Sequence, residues 1–92
     1  MRISRRSAGP VTILCLNGRM ARSEGYGEVR TTLSPLRKQG HTQFLLDLAD
    51  VPYMDSTGIG ELVSVFITVQ NHHGKLKFVN LTNRRRKLFE IA

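Results

Sequence analysis

The sequence has very little cysteine, no tryptophan and no long apolar run. Because Cys15 is its only cysteine, no disulfide can form within one chain, and we expect Cys15 to be a small buried residue. No stretch approaches the roughly 20 apolar residues that a membrane-crossing helix needs. The arginines near the N-terminus precede an apolar run at 11–16 that is too short for a secretory signal, which predicts a cytoplasmic protein without a membrane partner.

Patterns typical of catalysis and metal binding are also scarce. His72 and His73 are adjacent but have no third ligand nearby, so we expect no metal site. Gly58 and Gly60 lack the Gly-Lys-Ser/Thr ending of a phosphate-binding loop, and Asp55-Ser56 is not part of a Gly-x-Ser-x-Gly turn. A chain of 92 residues forms one domain and buries roughly 60–65% of its surface. We therefore expect a surface-based function, with no enzymatic activity and no cofactor.

Acidic residues are few, with seven Asp and Glu against 14 Lys and Arg, which gives a net charge of +7. Arginines lie at positions 2, 5 and 6, and a basic run follows at Arg84–Lys87. Solvated surface charge, docking on an acidic protein and nucleic-acid binding are all compatible with this pattern. Binding of nucleic acid is disfavoured because most of the aromatic residues occupy positions typical of a core, namely Tyr26, Phe44, Tyr53, Phe66, Phe78 and Phe89.

Apolar periodicity predicts alternating strands and helices. The predicted strands cover 11–16, 44–48 and 76–79, with a short edge strand at 3–5. The predicted helices cover 26–39, 56–71 and about 83–91, and Pro35 allows a kink or an earlier break in the first of them. This order is typical of an α/β fold with a largely parallel sheet. The nearly continuous apolar run at 44–48 predicts a strand that is buried on both faces.

The segment 51–62 joins a predicted buried strand to an amphipathic helix. Ser56 falls at the helix start, where its hydroxyl can accept a hydrogen bond from a helix N–H, and where a phosphate would meet free N–H groups. Gly58 and Gly60 keep bulk away and would let another molecule approach closely. Ordinary helix capping by Asp-Ser-Thr-Gly is the simpler alternative.

The string Tyr53–Gly60, which reads YMDSTGIG, resembles the signature of the STAS domain family, the anti-sigma-factor antagonists. Weaker similarities extend the resemblance over about residues 10–91, at Leu16–Arg19, Leu46–Leu48, Gly74–Leu76 and Leu88–Phe89. The resemblance implies an α/β, STAS-like fold: a mostly parallel four-stranded sheet with helices packed mainly on one face. It implies a single domain over 1–92, without the C-terminal strand and helix that are usual in the family.

The resemblance further implies partner switching regulated by phosphorylation at Ser56. In this mechanism an anti-sigma factor that is also a serine kinase binds the unphosphorylated form and releases the phosphorylated form. A PP2C-type phosphatase then removes the phosphate from the serine. The partner-binding residues that it implies are Asp55, Ser56, Thr57, Gly58, Ile59 and Gly60. Thr57 is the rival acceptor because it has the same chemistry one residue away.

Other readings stay open. The stretch Arg19–Glu24 is not the acidic sequence common in kinase-regulated members, so a scaffold subunit of a stress-signalling complex is an alternative function. A basic nucleic-acid-binding module is another. An open sheet edge would also favour a homodimer.

Overall fold

The computed structural model describes residues 1–81. Its elements, in chain order, are β1 (Arg2–Ala8), β2 (Val11–Asn17), α1 (Glu28–Lys38), β3 (Gln43–Asp50), α2 (Ser56–Asn71) and β4 (Lys75–Val79). The strands and helices predicted before residue 80 are confirmed, and the edge strand β1 is longer than predicted. The predicted last helix, the basic run Arg84–Lys87 and Phe89 lie outside the described residues.

The four strands form one mixed sheet in the order β1-β2-β3-β4. Strands β1 and β2 are an antiparallel hairpin, in which Ala8 pairs with Val11 and Gly9 takes a left-handed φ of 59° at the turn. The pairs β2/β3 and β3/β4 are parallel, and their crossovers contain α1 and α2. The parallel strands therefore end at the same edge of the sheet, where the loops that precede α1 and α2 meet.

Both helices contribute to the same core. Helix α1 continues through Pro35 to Lys38, and Gly40 then adopts a left-handed φ of 101°. The buried residues of α1 and α2 pack in one cluster with the inward side chains of the strands. This cluster contains Leu14, Leu16, Val29, Leu33, Leu36, Phe44, Leu46, Leu48, Leu62, Val65, Val69 and Leu76.

The prediction that 44–48 is buried on both faces is wrong. In β3 buried residues alternate with half-buried ones, so Phe44 and Leu46 lie in the core whereas Leu45 does not. Cys15, expected to be buried, is likewise only half-buried because it points away from the core cluster. The physical reason is that the buried residues of α1 and of α2 join the same cluster as Phe44 and Leu46, so that within residues 1–81 Leu45 stays half-buried.

A carboxylate of α2 holds the start of α1. Glu61 is almost completely buried, and its Oε1 accepts a hydrogen bond from the Gly27 N–H at 2.8 Å while Oε2 accepts one from the Arg30 N–H at 3.2 Å. Gly27 is the N-cap of α1 and, as a glycine, has no side chain that could cap the helix. Glu61 therefore caps α1 across 34 residues of sequence, a contact that the sequence analysis did not anticipate.

Replacement of Glu61 tests this contact. Glu61→Ala leaves two helix N–H donors without their acceptor, so we expect a loss of about 2 kcal/mol in the free energy of unfolding, measured with urea. Glu24→Ala is the matched control, because Glu24 is exposed and its ion pair with Arg19 contributes at most about 1 kcal/mol. Equal losses in the two variants would contradict a capping role for Glu61.

Candidate functional site

The site lies where two loops run side by side at the carboxyl ends of β2 and β3. The Met20 N–H donates to the Tyr53 carbonyl oxygen at 3.0 Å, and the Asp55 N–H donates to the Met20 carbonyl oxygen at 3.2 Å. These bonds form a short parallel bridge between Met20 and Met54. The loop before α1 thereby fixes the position of the segment that leads into α2.

Asp55 is the N-cap of α2. Its Oδ1 accepts a hydrogen bond from the Gly58 N–H at 2.9 Å, and its Oδ2 accepts one from the Arg22 N–H at 3.1 Å. Both bonds lower the pKa of the Asp55 carboxyl below its ordinary value, the Gly58 N–H having the larger effect. The expectation that the Ser56 hydroxyl accepts the capping bond is therefore corrected, since the preceding carboxylate accepts it.

Ser56 is the first residue of α2 and is exposed to solvent. Because Asp55 satisfies the Gly58 N–H, the serine hydroxyl is not needed to cap the helix. Thr57, the rival acceptor, is half-buried. The structure thus places the two adjacent hydroxyl residues in different environments, and Ser56 is the more accessible of them.

The two glycines of the segment have different roles. Gly58 is buried, and a Cβ at this position would collide with the Met20 carbonyl oxygen and lie 2.9 Å from the Met54 Cγ. Gly58 therefore permits close packing within the chain and does not present a surface to a partner, which corrects its predicted role. Gly60 is exposed, and a Cβ there would meet nothing within 4 Å.

Two tyrosines lie on the surface near this segment. Tyr53 is 44% exposed and Tyr26 is 54% exposed, so the expectation that most of the aromatic residues occupy the core is wrong for both. The Arg19 guanidinium lies 4.3 Å from the centroid of the Tyr53 ring, and its Nε is 2.9 Å from Glu24 Oε1. No feature of the sequence distinguished these tyrosines from the buried Phe44.

Helix α2 also presents apolar side chains outward. Ile67 is 48% exposed, and Ile59 and Val63 are half-buried at the preceding turns. With Ser56 and Gly60 they form a surface that we call the α2 stripe. An exposed apolar surface of this kind is suited to binding another protein.

Within residues 1–81, no three His, Cys, Asp or Glu side chains are grouped as a metal site would require. The helices of this same region are too short or too polar to span a bilayer.

The glycine assignments predict opposite effects on stability. Gly58→Ala should lower the free energy of unfolding because backbone or core atoms must move to admit the methyl group. Gly60→Ala should raise it by roughly 0.5–1 kcal/mol, because alanine costs less entropy than glycine inside a helix. Urea unfolding of both variants checks this, and stabilisation by Gly58→Ala would contradict the packing role.

The lowered pKa of Asp55 predicts a pH-dependent difference from Asp55→Asn. A carboxyl whose pKa is lower in the folded state stabilises the fold above its unfolded pKa of about 3.9 and loses this effect as pH falls through the folded pKa. Wild type should therefore have the higher Tm at pH 7, and the difference from Asp55→Asn should vanish at strongly acidic pH. The Tm of the variant should still fall at acidic pH, in part because of Asp47, whose carboxyl pKa is lowered mainly by the hydrogen bond from the Asn80 amide. A constant difference in Tm from pH 7 to pH 2 would exclude the proposed interaction.

Comparison with curated proteins identifies anti-sigma-B factor antagonists as relatives. The chain is 44% identical over 64 residues to the anti-sigma-B factor antagonist of Bacillus subtilis (strain 168), a match that covers 70% of this chain and 58% of that protein. It is 33% identical over 65 residues to the anti-sigma-B factor antagonist of Staphylococcus aureus (strain NCTC 8325), covering 71% and 60%. The matched segment thus spans less than two thirds of these relatives.

Solved structures and a family model agree with this result. The anti-sigma factor antagonist SpoIIAA in its unphosphorylated form superposes with a TM-score of 0.81 at 18% identity, over 99% of this chain and 84% of that one. The phosphorylated form of the Bacillus cell fate determinant SpoIIAA gives a TM-score of 0.78, also at 18% identity, over 98% and 82%. These likenesses establish the shared fold. The STAS domain model matches residues 6–92, and the chain therefore belongs to the STAS domain family.

Proposed function

We propose that this chain is an anti-sigma-factor antagonist that acts by partner switching and is controlled by phosphorylation of Ser56. The observation that carries the proposal is the exposed Ser56 hydroxyl at the start of α2, beside an Asp55 carboxylate that already caps the helix. The names of the bacterial relatives support the same function.

The position of Asp55 indicates how phosphate would act. A phosphate on Ser56 adds about −1.5 to −2 charges. The Gly58 N–H already donates to Asp55, and the lowered pKa of Asp55 keeps its carboxylate charged near neutral pH. The phosphate would therefore increase the negative charge at the surface. It would release a partner by repulsion and by desolvation cost, without any rearrangement of the helix.

The partner surface that we propose includes the α2 stripe and Tyr53. Ser56, Ile59 and Gly60 would contact the partner directly, because they are exposed or half-buried. Asp55 and the buried Gly58 would act by holding the segment in place. Thr57 would lie at the margin of the contact.

The partners that we propose are an anti-sigma factor with serine kinase activity and a PP2C-type phosphatase. Both would act in the cytoplasm, where sigma factors work, and the chain itself would have a regulatory role without catalysis. A scaffold subunit would use the same surface without being phosphorylated. We also propose that residues 1–92 form a single STAS-like domain and that two copies pair through a sheet edge.

Phosphate transfer tests the site. Incubation with ATP and the anti-sigma kinase of the same cells should add one phosphate, within the peptide that covers residues 53–62. Ser56→Ala should abolish labelling, whereas Thr57→Ala should keep most of it, because Ser56 is the more exposed hydroxyl. Mass spectrometry of the digested protein checks this.

The binding measurement uses the same kinase. Ser56→Asp should bind it more weakly than Ser56→Ala, and equal affinities would contradict release by charge. Labelling at Thr57 would move the acceptor by one residue. No labelling of either residue would favour the scaffold alternative.

A further inference from the structure

The face of the sheet opposite the two helices has an apolar centre. We call it the outer sheet face, and its central side chains are those of Val11, Ile13, Cys15, Leu45 and Val79, which point away from the core and are half-buried. A sheet face that meets only water usually carries polar side chains. The nearly continuous apolar sequence of β2 and β3 is therefore more than the described fold requires, and it suggests that this face is covered when the protein works.

The apolar centre lies between two cationic margins. One row of paired residues crosses all four strands, from Arg6 through Ile13 and Leu45 to Lys77. Arg2 and Lys75 lie on the same face of the two outer strands, and all four cations are exposed. Within the described chain, two carboxylates lie on this face as well: Asp47, which accepts a hydrogen bond from Asn80, and the exposed Asp50, which pairs with Asn17.

We propose that the outer sheet face binds an amphipathic helix of a partner protein, with the apolar stripe of the helix on the centre and its Asp and Glu side chains against the cationic margins. Strands are about 4.8 Å apart, so the margins are roughly 14 Å apart across the three strand spacings. A helix with its side chains is roughly 10–12 Å wide and fits between them. The proposal is independent of Ser56, because α2 packs on the opposite face of the sheet.

Charge disfavours a second copy of this chain as the occupant. A second copy in the same pairing would bring Arg6 and Lys77 against like charges, which is unfavourable. The negative charge of nucleic acid would complement the cationic margins. Its polar phosphates and sugars would, however, be a poor match for the apolar centre. A bilayer needs side chains that protrude into it, whereas those of the centre are half-buried between their neighbours.

Cys15 provides a probe that needs no mutation. It is the only cysteine of the chain and lies in the centre of the outer sheet face, half-buried. The experiment uses a synthetic helical peptide of about 18 residues, long enough to run the length of the strands between the margins, with leucines on one side and glutamates along both edges. Binding is followed by fluorescence anisotropy of the labelled peptide and by the rate at which iodoacetamide alkylates Cys15. The acidic peptide should bind and slow alkylation at least fivefold.

Matched variants locate the contact. Lys77→Glu should weaken binding about fivefold or more, whereas Arg30→Glu, the same charge change on the exposed surface of α1, should have little effect. Leu45→Ser should weaken binding, whereas Ile67→Ser on the α2 stripe should not. Circular dichroism spectra check that each variant is folded. If a variant is not folded, the alkylation of Cys15 in the wild-type protein still tests the proposal.

Three results would overturn the proposal. The first is unchanged Cys15 alkylation at saturating acidic peptide, and the second is equal binding of the same peptide with lysines in place of its glutamates. The third is stronger protection of Cys15 by duplex DNA or by phosphatidylglycerol vesicles than by the peptide. Failure of these tests would leave the Ser56 proposal untouched, because that proposal concerns the opposite face of the sheet.

Discussion

The Asp55 carboxylate joins the first turn of α2, at Gly58, to the loop before α1 at Arg22, which lies 33 residues before Asp55 in the sequence. The rest of the site depends on this bridge. It sets the direction in which α2 leaves the sheet, and it satisfies an N–H that would otherwise require the serine hydroxyl. Gly58 then lets α2 pack against Met20 so closely that no side chain fits between them. Ser56 is exposed as a consequence of these contacts.

Glu61, which lies six residues after Asp55, makes a second connection between α2 and the loop before α1. Its carboxylate binds the backbone at the start of α1, so the loop between β2 and α1 is held in its middle by Asp55 and at its end by Glu61. Each carboxylate accepts N–H groups at a helix start, where the helix dipole favours negative charge. The loop that carries Arg19 beside Tyr53 is therefore held in register with the proposed partner surface.

Sequence reasoning predicted the order of the elements and the start of α2 at Ser56, because these follow from local periodicity and from a specific string of residues. It did not predict which neighbour caps the helix, because Asp and Ser are equally good N-caps and the choice depends on Arg22, which is distant in sequence. For the same reason the sequence predicts that Gly58 lets another molecule approach, whereas the structure buries it. Its neighbour, the Met20 carbonyl oxygen, becomes adjacent only through tertiary folding.

The prediction that β3 is buried on both faces was wrong for the described fold, yet its basis in the sequence was sound. Leu45 and Ile13 are apolar residues on a face where neither α1 nor α2 packs. Apolar side chains at such positions stabilise a strand only weakly when they meet water, and they favour aggregation unless charges flank them. Arg6 and Lys77 lie at the ends of their row and supply those charges. The same charges would disfavour contact of this face with its own copy and favour contact with an acidic helix, so both effects would have one physical cause.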